Sequence, residues 1–256
     1  MPNLISQGCC GFESRAEIIP FEPSISMDGE MRFGIFSTPS VLGCFFDLLR
    51  ICERRIIMAE KTKSNSVRKL TETAIMLALA VALSYVTIFK LPMGGSITLF
   101  SQVPIIIIGY RYGWKWGVGT GIMYGILEML LQGLGNFAYV KGIGAYIILI
   151  LADYVLAFMS LGLGGGLFKK IKNQPLALGL GALVASALRF VCHFISGVTI
   201  WGEYADGWKS VWAYSAGYNG SYMAVEAVIS VIGVVALALV LDFNQPNLRK
   251  VKANKD

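Results

Sequence analysis

Six apolar runs, separated by short segments that hold most of the basic residues, leave this chain few folds to adopt. They fall at 71–89, 97–110, 113–132, 143–168, 175–200 and 214–241. Inside lipid, every backbone N–H and C=O must be hydrogen-bonded within its own segment or within a closed barrel. A barrel would show short segments of alternating polarity. These runs are continuous, so each reads as a helix; the second is short and contains Pro104. The expected fold class is an all-α membrane protein with six transmembrane helices. Composition agrees. Of 256 residues, 55% are hydrophobic and 15% charged, where a soluble domain carries roughly 25% charged residues. A soluble enzyme does not fit, nor does a disordered chain, which needs high charge and low hydrophobicity.

The basic residues also set an orientation. Thirteen lie before the first run or after the second, fourth and sixth: Lys61, Lys63, Arg68, Lys69, Arg111, Lys115, Lys169, Lys170, Lys172, Arg249, Lys250, Lys252 and Lys255. The intervening segments hold only Lys90, Lys141 and Lys209. Cytoplasmic loops are enriched in Lys and Arg, so both termini are expected in the cytoplasm. An even number of spans is consistent with that.

Residues 1–57 differ from the rest. They carry a net charge of −2, against +8 for 58–256, and no long apolar run. No basic segment precedes an apolar one and a small-residue cleavage site, so this is not a signal peptide. Met58-Ala59-Glu60-Lys61 reads like the natural start of a bacterial membrane protein. We expect translation to begin there, with 1–57 a disordered or untranslated extension; the alternative is an amphipathic extension on the membrane surface. The six-helix domain is then 58–256. The cysteines (Cys9, Cys10, Cys44, Cys52 and Cys192) form neither a metal signature nor a disulfide framework.

Two stripes of small residues recur every four positions, a spacing that permits close helix approach. Gly113, Gly117, Gly121 and Gly125 mark the third run; Ala74, Ala78 and Ala82 mark the first. Composition alone favours packing inside the bundle for both.

Charges within the spans are costly and point to function. Five stand out: Glu128, Asp153, Arg189, His193 and Glu226. Arg189 with one acid could equally be a structural ion pair. Along the fifth run, Arg189, His193, Gly197 and Trp201 follow at intervals of four and share one helix face. A lone histidine on an apolar helix is ordinarily a hydrogen-bonded core residue. Its neighbours here favour a binding role, with Gly197 leaving room for a flat ligand. Tyr214, Tyr218, Asn219 and Tyr222 follow in the sixth run. Interfacial belts account for some aromatics, such as Trp208 and Trp212. They do not account for Asn219, an amide that needs partners. Aromatics interleaved with histidine, amide and carboxylate suit a planar, cationic, nitrogen-rich ligand. No phosphate-binding loop and no H-E-x-x-H motif occurs, and one histidine makes no multi-histidine metal site. Neither a catalytic residue nor a metal or cofactor is expected.

The stretch from Arg189 through His193, Gly197 and Trp201 to Tyr214, Asn219 and Gly220 resembles the thiamine-specific S components of energy-coupling factor (ECF) transporters. So do Leu151-Ala152-Asp153-Tyr154 and Thr71-Glu72-Thr73-Ala74. The resemblance covers about residues 66–245. It implies a bacterial plasma-membrane protein that captures thiamine outside, without chemistry. Its partners would be a transmembrane coupling protein and two cytoplasmic ATPases. It implies that Trp201 stacks on a thiamine ring, that His193 and Tyr154 line the pocket, and that Asp153, often a Glu in the family, contacts the aminopyrimidine. Tyr214 and Asn219 would add contacts, Gly197 room, and Arg189 a contact to a hydroxyl or phosphate, or an ion pair. By the same resemblance Ala74, Ala78 and Ala82 form the docking face for the coupling protein, reversing the reading from composition. Some members place a tryptophan over the ligand from the first external loop. Leu91 to Thr98 has no aromatic residue, leaving Phe89, Phe100 or Tyr139 as substitutes.

Other readings stay open from sequence: an S component for a thiamine precursor or another flat vitamin, a proton-coupled transporter or membrane enzyme using Glu128, Asp153 and Glu226, and a structural subunit that binds nothing.

Overall fold

In a computed structural model, residues 65–91, 94–245 and 249–250 are described; the expectations for 1–57 and the Met58 start lie outside them. Six helical rods form in chain order. They are α1 (Asn65–Ser84), α2 (Val103–Tyr112), α3 (Trp114–Glu128), α4 (Ile143–Leu167), α5 (Gln174–Thr199) and α6 (Val211–Val240). A hairpin of β1 (Thr87–Lys90) and β2 (Ser96–Thr98) joins α1 to α2.

The last three helices follow the apolar runs closely. They are long and apolar enough to cross a membrane, and among the described residues they are the three that are. α5 opens on Asn173, whose side chain accepts the Leu176 N–H, with a proline in its first turn. α6 opens on Ser210, which accepts the Ala213 N–H. Both therefore have a capped outset. Their outward faces are apolar, as with Leu183, Ile195, Val228 and Ile232, while Ser186, Arg189, Ser215, Asn219 and Glu226 are buried. Polar inside and apolar outside is the pattern a lipid solvent selects.

The first two runs depart from expectation. Helix α1 stops at Ser84, and the expected end of the run (85–89) becomes a turn and strand β1. Val86, Thr87 and Ile88 are β-branched, which favours extended backbone, and Thr87, Phe89 and Lys90 pair with Thr98, Ile97 and Ser96. The second run likewise begins as β2, and Phe100 then takes a positive φ of 61°. Helix α2 starts only at Val103 and has 10 residues. That is about 15 Å of helix against roughly 30 Å of hydrocarbon. It is a core element, buried from Val103 to Tyr110. At Gly113, φ is +90°, a conformation only glycine enters freely, and α3 leaves at an angle.

Helix α4 packs on α2, α3 and α5, and α5 on α6. The glycine stripe of the third run makes the α3–α4 contact. A Cβ on Gly117 would lie 2.3 Å from the Gly162 carbonyl oxygen, on Gly121 2.4 Å from that of Phe158, and on Gly125 2.3 Å from that of Tyr154. Packing inside the bundle is thus the role of that stripe, although Gly113 has nothing near it. The alanine stripe behaves oppositely: Ala74, Ala78 and Ala82 lie on the exposed face of α1. The packing that composition favoured for them is not formed.

At the end of the molecule away from the hairpin, Glu72 ties several segments together. It accepts from Arg68 Nε at 3.0 Å, from Arg111 Nε at 2.7 Å, and from the Tyr112 hydroxyl. Arg111 Nη1 also donates to the Phe243 and Gln245 carbonyls, and Lys169 Nζ donates to the Arg111 carbonyl. Burial, then the neighbouring Arg111 and Lys69, lower the pKa of Lys169. Basic segments expected on one side of the membrane do gather at one end of the bundle.

Candidate functional site

A cavity of about 310 Å³ opens beneath the β-hairpin, between α3, α4, α5 and α6. All eight candidate ligand-binding residues named from sequence line it: Asp153, Tyr154, Arg189, His193, Gly197, Trp201, Tyr214 and Asn219. Seven come from three helices, and Trp201, expected on the face of α5, lies in the turn just after that helix ends at Thr199, so no single helix face could have defined the cavity.

Two wide helical turns shape its walls. Residues Leu149–Leu156 of α4, and Met129–Gly133 just after α3, are π-helical. Such turns interrupt α-helical periodicity and often mark functional sites. The first carries Asp153 and Tyr154 into the cavity. The second carries Gln132 and Gly133.

Asp153 is the hub of one wall. Its Oδ1 accepts from His193 Nδ1 at 2.9 Å. Its Oδ2 accepts from Ser196 Oγ at 2.7 Å and from Trp201 Nε1 at 3.2 Å. A carboxylate only accepts, so the His193 hydrogen sits on Nδ1, leaving Nε2 buried without a partner. Asp153 therefore orients both His193 and Trp201. Tyr154 takes Asn136 Nδ2 at 2.9 Å and donates to the Gly133 carbonyl at 3.3 Å. Asn219 donates to the carbonyls of His193 (3.2 Å) and Ser215 (3.0 Å), and its Oδ1 accepts from the Tyr222 hydroxyl at 3.1 Å. The amide that needed partners has them.

Tyr214, Tyr218 and Tyr222 follow one another at intervals of four on α6, with ring centroids 5.8 and 5.9 Å apart. All three line the cavity. The family resemblance carried only Tyr214 of the three into the site; Tyr218 and Tyr222 stood in the sequence as aromatics of the same run, at the same interval of four. Ser196, three residues beyond His193 and so off the interval of four, was missed; it acts through its bond to Asp153. Asn136, from the 3-10 turn Leu134–Tyr139, carried no signal. Gly197 lines the cavity and also allows close approach of α6. A Cβ there would lie 2.2 Å from Ser215 Oγ and 2.9 Å from Asn219 Nδ2, so α6 takes up the room beside it.

The outer cover also differs from expectation. Phe89 and Tyr139 are exposed, and Phe100 packs toward Gly233; none of the three lines the cavity. The hairpin covers it with Leu91, Gly94, Gly95 and Ser96 instead. Gly95 N–H donates to the Tyr218 hydroxyl at 3.1 Å. A Cβ at Gly95 would lie 2.9 Å from that oxygen, so glycine permits this close approach.

Deeper in the bundle, Arg189 Nη1 donates to Glu226 Oε2 at 2.6 Å, and its guanidinium lies 4.9 Å from the Phe158 ring centroid. Thr98 Oγ1 donates to Glu226 Oε1 at 2.8 Å. The ion pair left open by sequence is formed. Glu128 Oε2 accepts from Gln132 Nε2 at 3.1 Å, while Oε1 is buried without a hydrogen-bond partner. Among the described residues, no group of three or more His, Cys, Asp or Glu could hold a metal ion.

An apolar-coated helical bundle with a partly open cavity of aromatic and hydrogen-bonding groups defines a multi-pass membrane protein with room for a small molecule. The chain belongs to the thiamine transporter protein family (Thia_YuaJ), which matches residues 70–245. It is 31% identical over 181 residues to the thiamine transporter ThiT of Bacillus subtilis (strain 168), covering 66% of this chain and 90% of that protein. It is 28% identical over 179 residues to ThiT of Lacticaseibacillus paracasei, covering 66% and 86%. The solved structure of ThiT from Listeria monocytogenes matches with a TM-score of 0.56 at 25% identity, covering 68% of this chain and 95% of that one. The family's role is transport, not catalysis.

Proposed function

We propose that this protein captures thiamine on the outer side of the membrane, without chemistry, as the S component of an ECF-type importer. Its partners are a transmembrane coupling protein and two cytoplasmic ATPases. All six helical rods lie within the membrane, with both termini in the cytoplasm. The convergence of Asp153, Tyr154, His193, Trp201, Tyr214 and Asn219 on one covered cavity carries the reading. Trp201 and the tyrosines offer flat faces to the rings; Asp153, Asn219 and His193 offer groups to ring nitrogens and the amine. Closing the hairpin over the vitamin desolvates these contacts.

The assignment of Ala74, Ala78 and Ala82 as the docking face is supported by their exposure on α1. The orientation is supported by the gathering of basic segments at the end opposite the hairpin. The test is titration of the purified protein in detergent, following intrinsic tryptophan fluorescence. Saturable quenching is expected at nanomolar thiamine, and none with biotin or riboflavin. No response to thiamine overturns the ligand. Uptake that collapses with the proton gradient while ATP is intact overturns the ATP-driven coupling.

A further inference from the structure

The end of the bundle away from the cavity carries more positive charge than its carboxylates answer. Four helix ends meet there: the start of α1, the end of α2, the start of α3 and the end of α4. A Cβ on Gly166 would lie 2.3 Å from the Trp114 backbone nitrogen, so the last turn of α4 sits against the first residue of α3. Glu72 is committed to Arg68, Arg111 and Tyr112. Asp242, just after α6, accepts from the Asn244 N–H. Among the described residues, no carboxylate pairs with Lys69, Lys115 or Lys169. Two of these lysines are nevertheless held in place. The Lys69 ammonium lies 3.9 Å from the Trp116 ring centroid, and that indole donates to Thr73 Oγ1 at 2.9 Å. Lys169 Nζ donates to the Arg111 carbonyl at 2.7 Å. Lys169 is close enough to Arg111 and Lys69 for their charges, after burial, to lower its pKa. The same helix ends expose apolar side chains: Val67 and Leu70 on α1, Trp114 on α3 and Leu167 on α4.

We infer that Lys69, Lys115 and Lys169, at the junction of α1, α3 and α4, form a headgroup site for an anionic phospholipid. A phosphodiester accepts from ammonium donors and supplies the negative charge the cluster lacks. The exposed apolar residues give its acyl chains a surface beside the charge, which a soluble anion would leave unused. Lys and Arg are attracted to a negative membrane surface without any fixed geometry. Here Trp116 and the Arg111 carbonyl position two ammonium groups in advance, which lowers the ordering cost of binding. The site requires only that the chain lies in a bilayer; no cavity residue takes part.

The experiment is native mass spectrometry of the detergent-purified protein, titrated with an equimolar mixture of phosphatidylglycerol and phosphatidylcholine bearing the same acyl chains. Retention of phosphatidylglycerol is expected to exceed that of phosphatidylcholine at least about fivefold, the order expected for one lysine facing an anionic surface. Lys69→Gln with Lys169→Gln should abolish the preference. Lys141→Gln with Lys209→Gln removes the same charge from exposed positions at the opposite end and should leave it intact. Should the first double variant fail to elute as a monodisperse species, Lys115→Gln, a change at an exposed position, decides by cutting the preference at least about twofold. Equal retention of the two lipids by the native protein overturns the site. So does a preference unchanged in the folded Lys69, Lys169 or Lys115 variants, or one lost equally in the Lys141 and Lys209 variant. Displacement of the lipid by millimolar inorganic phosphate assigns the cluster to a soluble anion and overturns the lipid.

Discussion

Asp153 is one methylene shorter than the glutamate that the resemblance leads one to expect. Both of its oxygens accept from the protein, one from His193 and the other from Ser196 and Trp201. Its first effect is therefore to fix an imidazole and an indole; Oδ2 already accepts twice, and Oδ1, which accepts once, retains capacity for a ligand donor. Trp201 is held by that bond and lies 6.0 Å from the Tyr204 ring centroid. Trp201→Ala should weaken thiamine binding at least about tenfold, because a stacked ring is worth ~1 kcal/mol or more and its polar tether is lost too. Equilibrium dialysis with labelled thiamine checks this without relying on the indole signal. An unchanged affinity would take Trp201 out of the site.

At the scale of elements, the α3–α4 seam is set by missing side chains. Gly162 of α4 faces Gly117 of α3 so closely that a Cβ on Gly162 would lie 1.8 Å from the Gly117 carbonyl oxygen. Because that obstacle is backbone, no rotamer change relieves it. Gly162→Val should lower the melting temperature in detergent, with a cost of about 1–3 kcal/mol for overpacking. Gly119, two residues from the seam glycines Gly117 and Gly121, has nothing within 4 Å. Gly119→Ala should leave melting unchanged or raise it, since alanine is favoured over glycine in a helix by ~1 kcal/mol. Equal destabilisation by the two substitutions would contradict a seam built on close backbone approach. The π-helical turn in α4 matters at this scale as well. It sets Asp153 and Tyr154 on the cavity side, a rotation that an uninterrupted 3.6-residue periodicity does not produce.

Across the whole molecule, two ends do different work. The hairpin, the tyrosines of α6 and the cavity occupy one. The Glu72 network, which joins α1 to α2 and to the segment after α6, occupies the other. The exposed alanine stripe runs along α1 between them, clear of the cavity lining. A bulky substitution there should separate binding from transport. Ala78→Trp should keep thiamine affinity within about twofold while uptake by whole cells falls more than tenfold, because close helix approach needs small residues. Unimpaired uptake would remove the stripe from the docking face.

The helical rods α4, α5 and α6 were readable from residues alone. A lipid interior tolerates only continuous apolar segments with satisfied backbone, and composition reports that directly. The gathering of Arg68, Lys69, Arg111 and Lys169 at one end could be read from charge spacing for the same reason. Arg189, His193 and Gly197 could be found because an interval of four residues marks one helix face, and Trp201 continues that interval into the turn after α5. Other features depended on neighbours distant in sequence. The same small-residue spacing packs inward in α3 and faces outward in α1, since periodicity carries no information about what stands opposite. Residues 85–89 are apolar enough to extend α1, yet pairing with 96–98 draws them into a strand. Glu226 became the partner of Arg189 only when α5 and α6 met. Hydrophobic segregation is a property of each segment, whereas pairing, close approach and cavity shape are properties of the contacts between them.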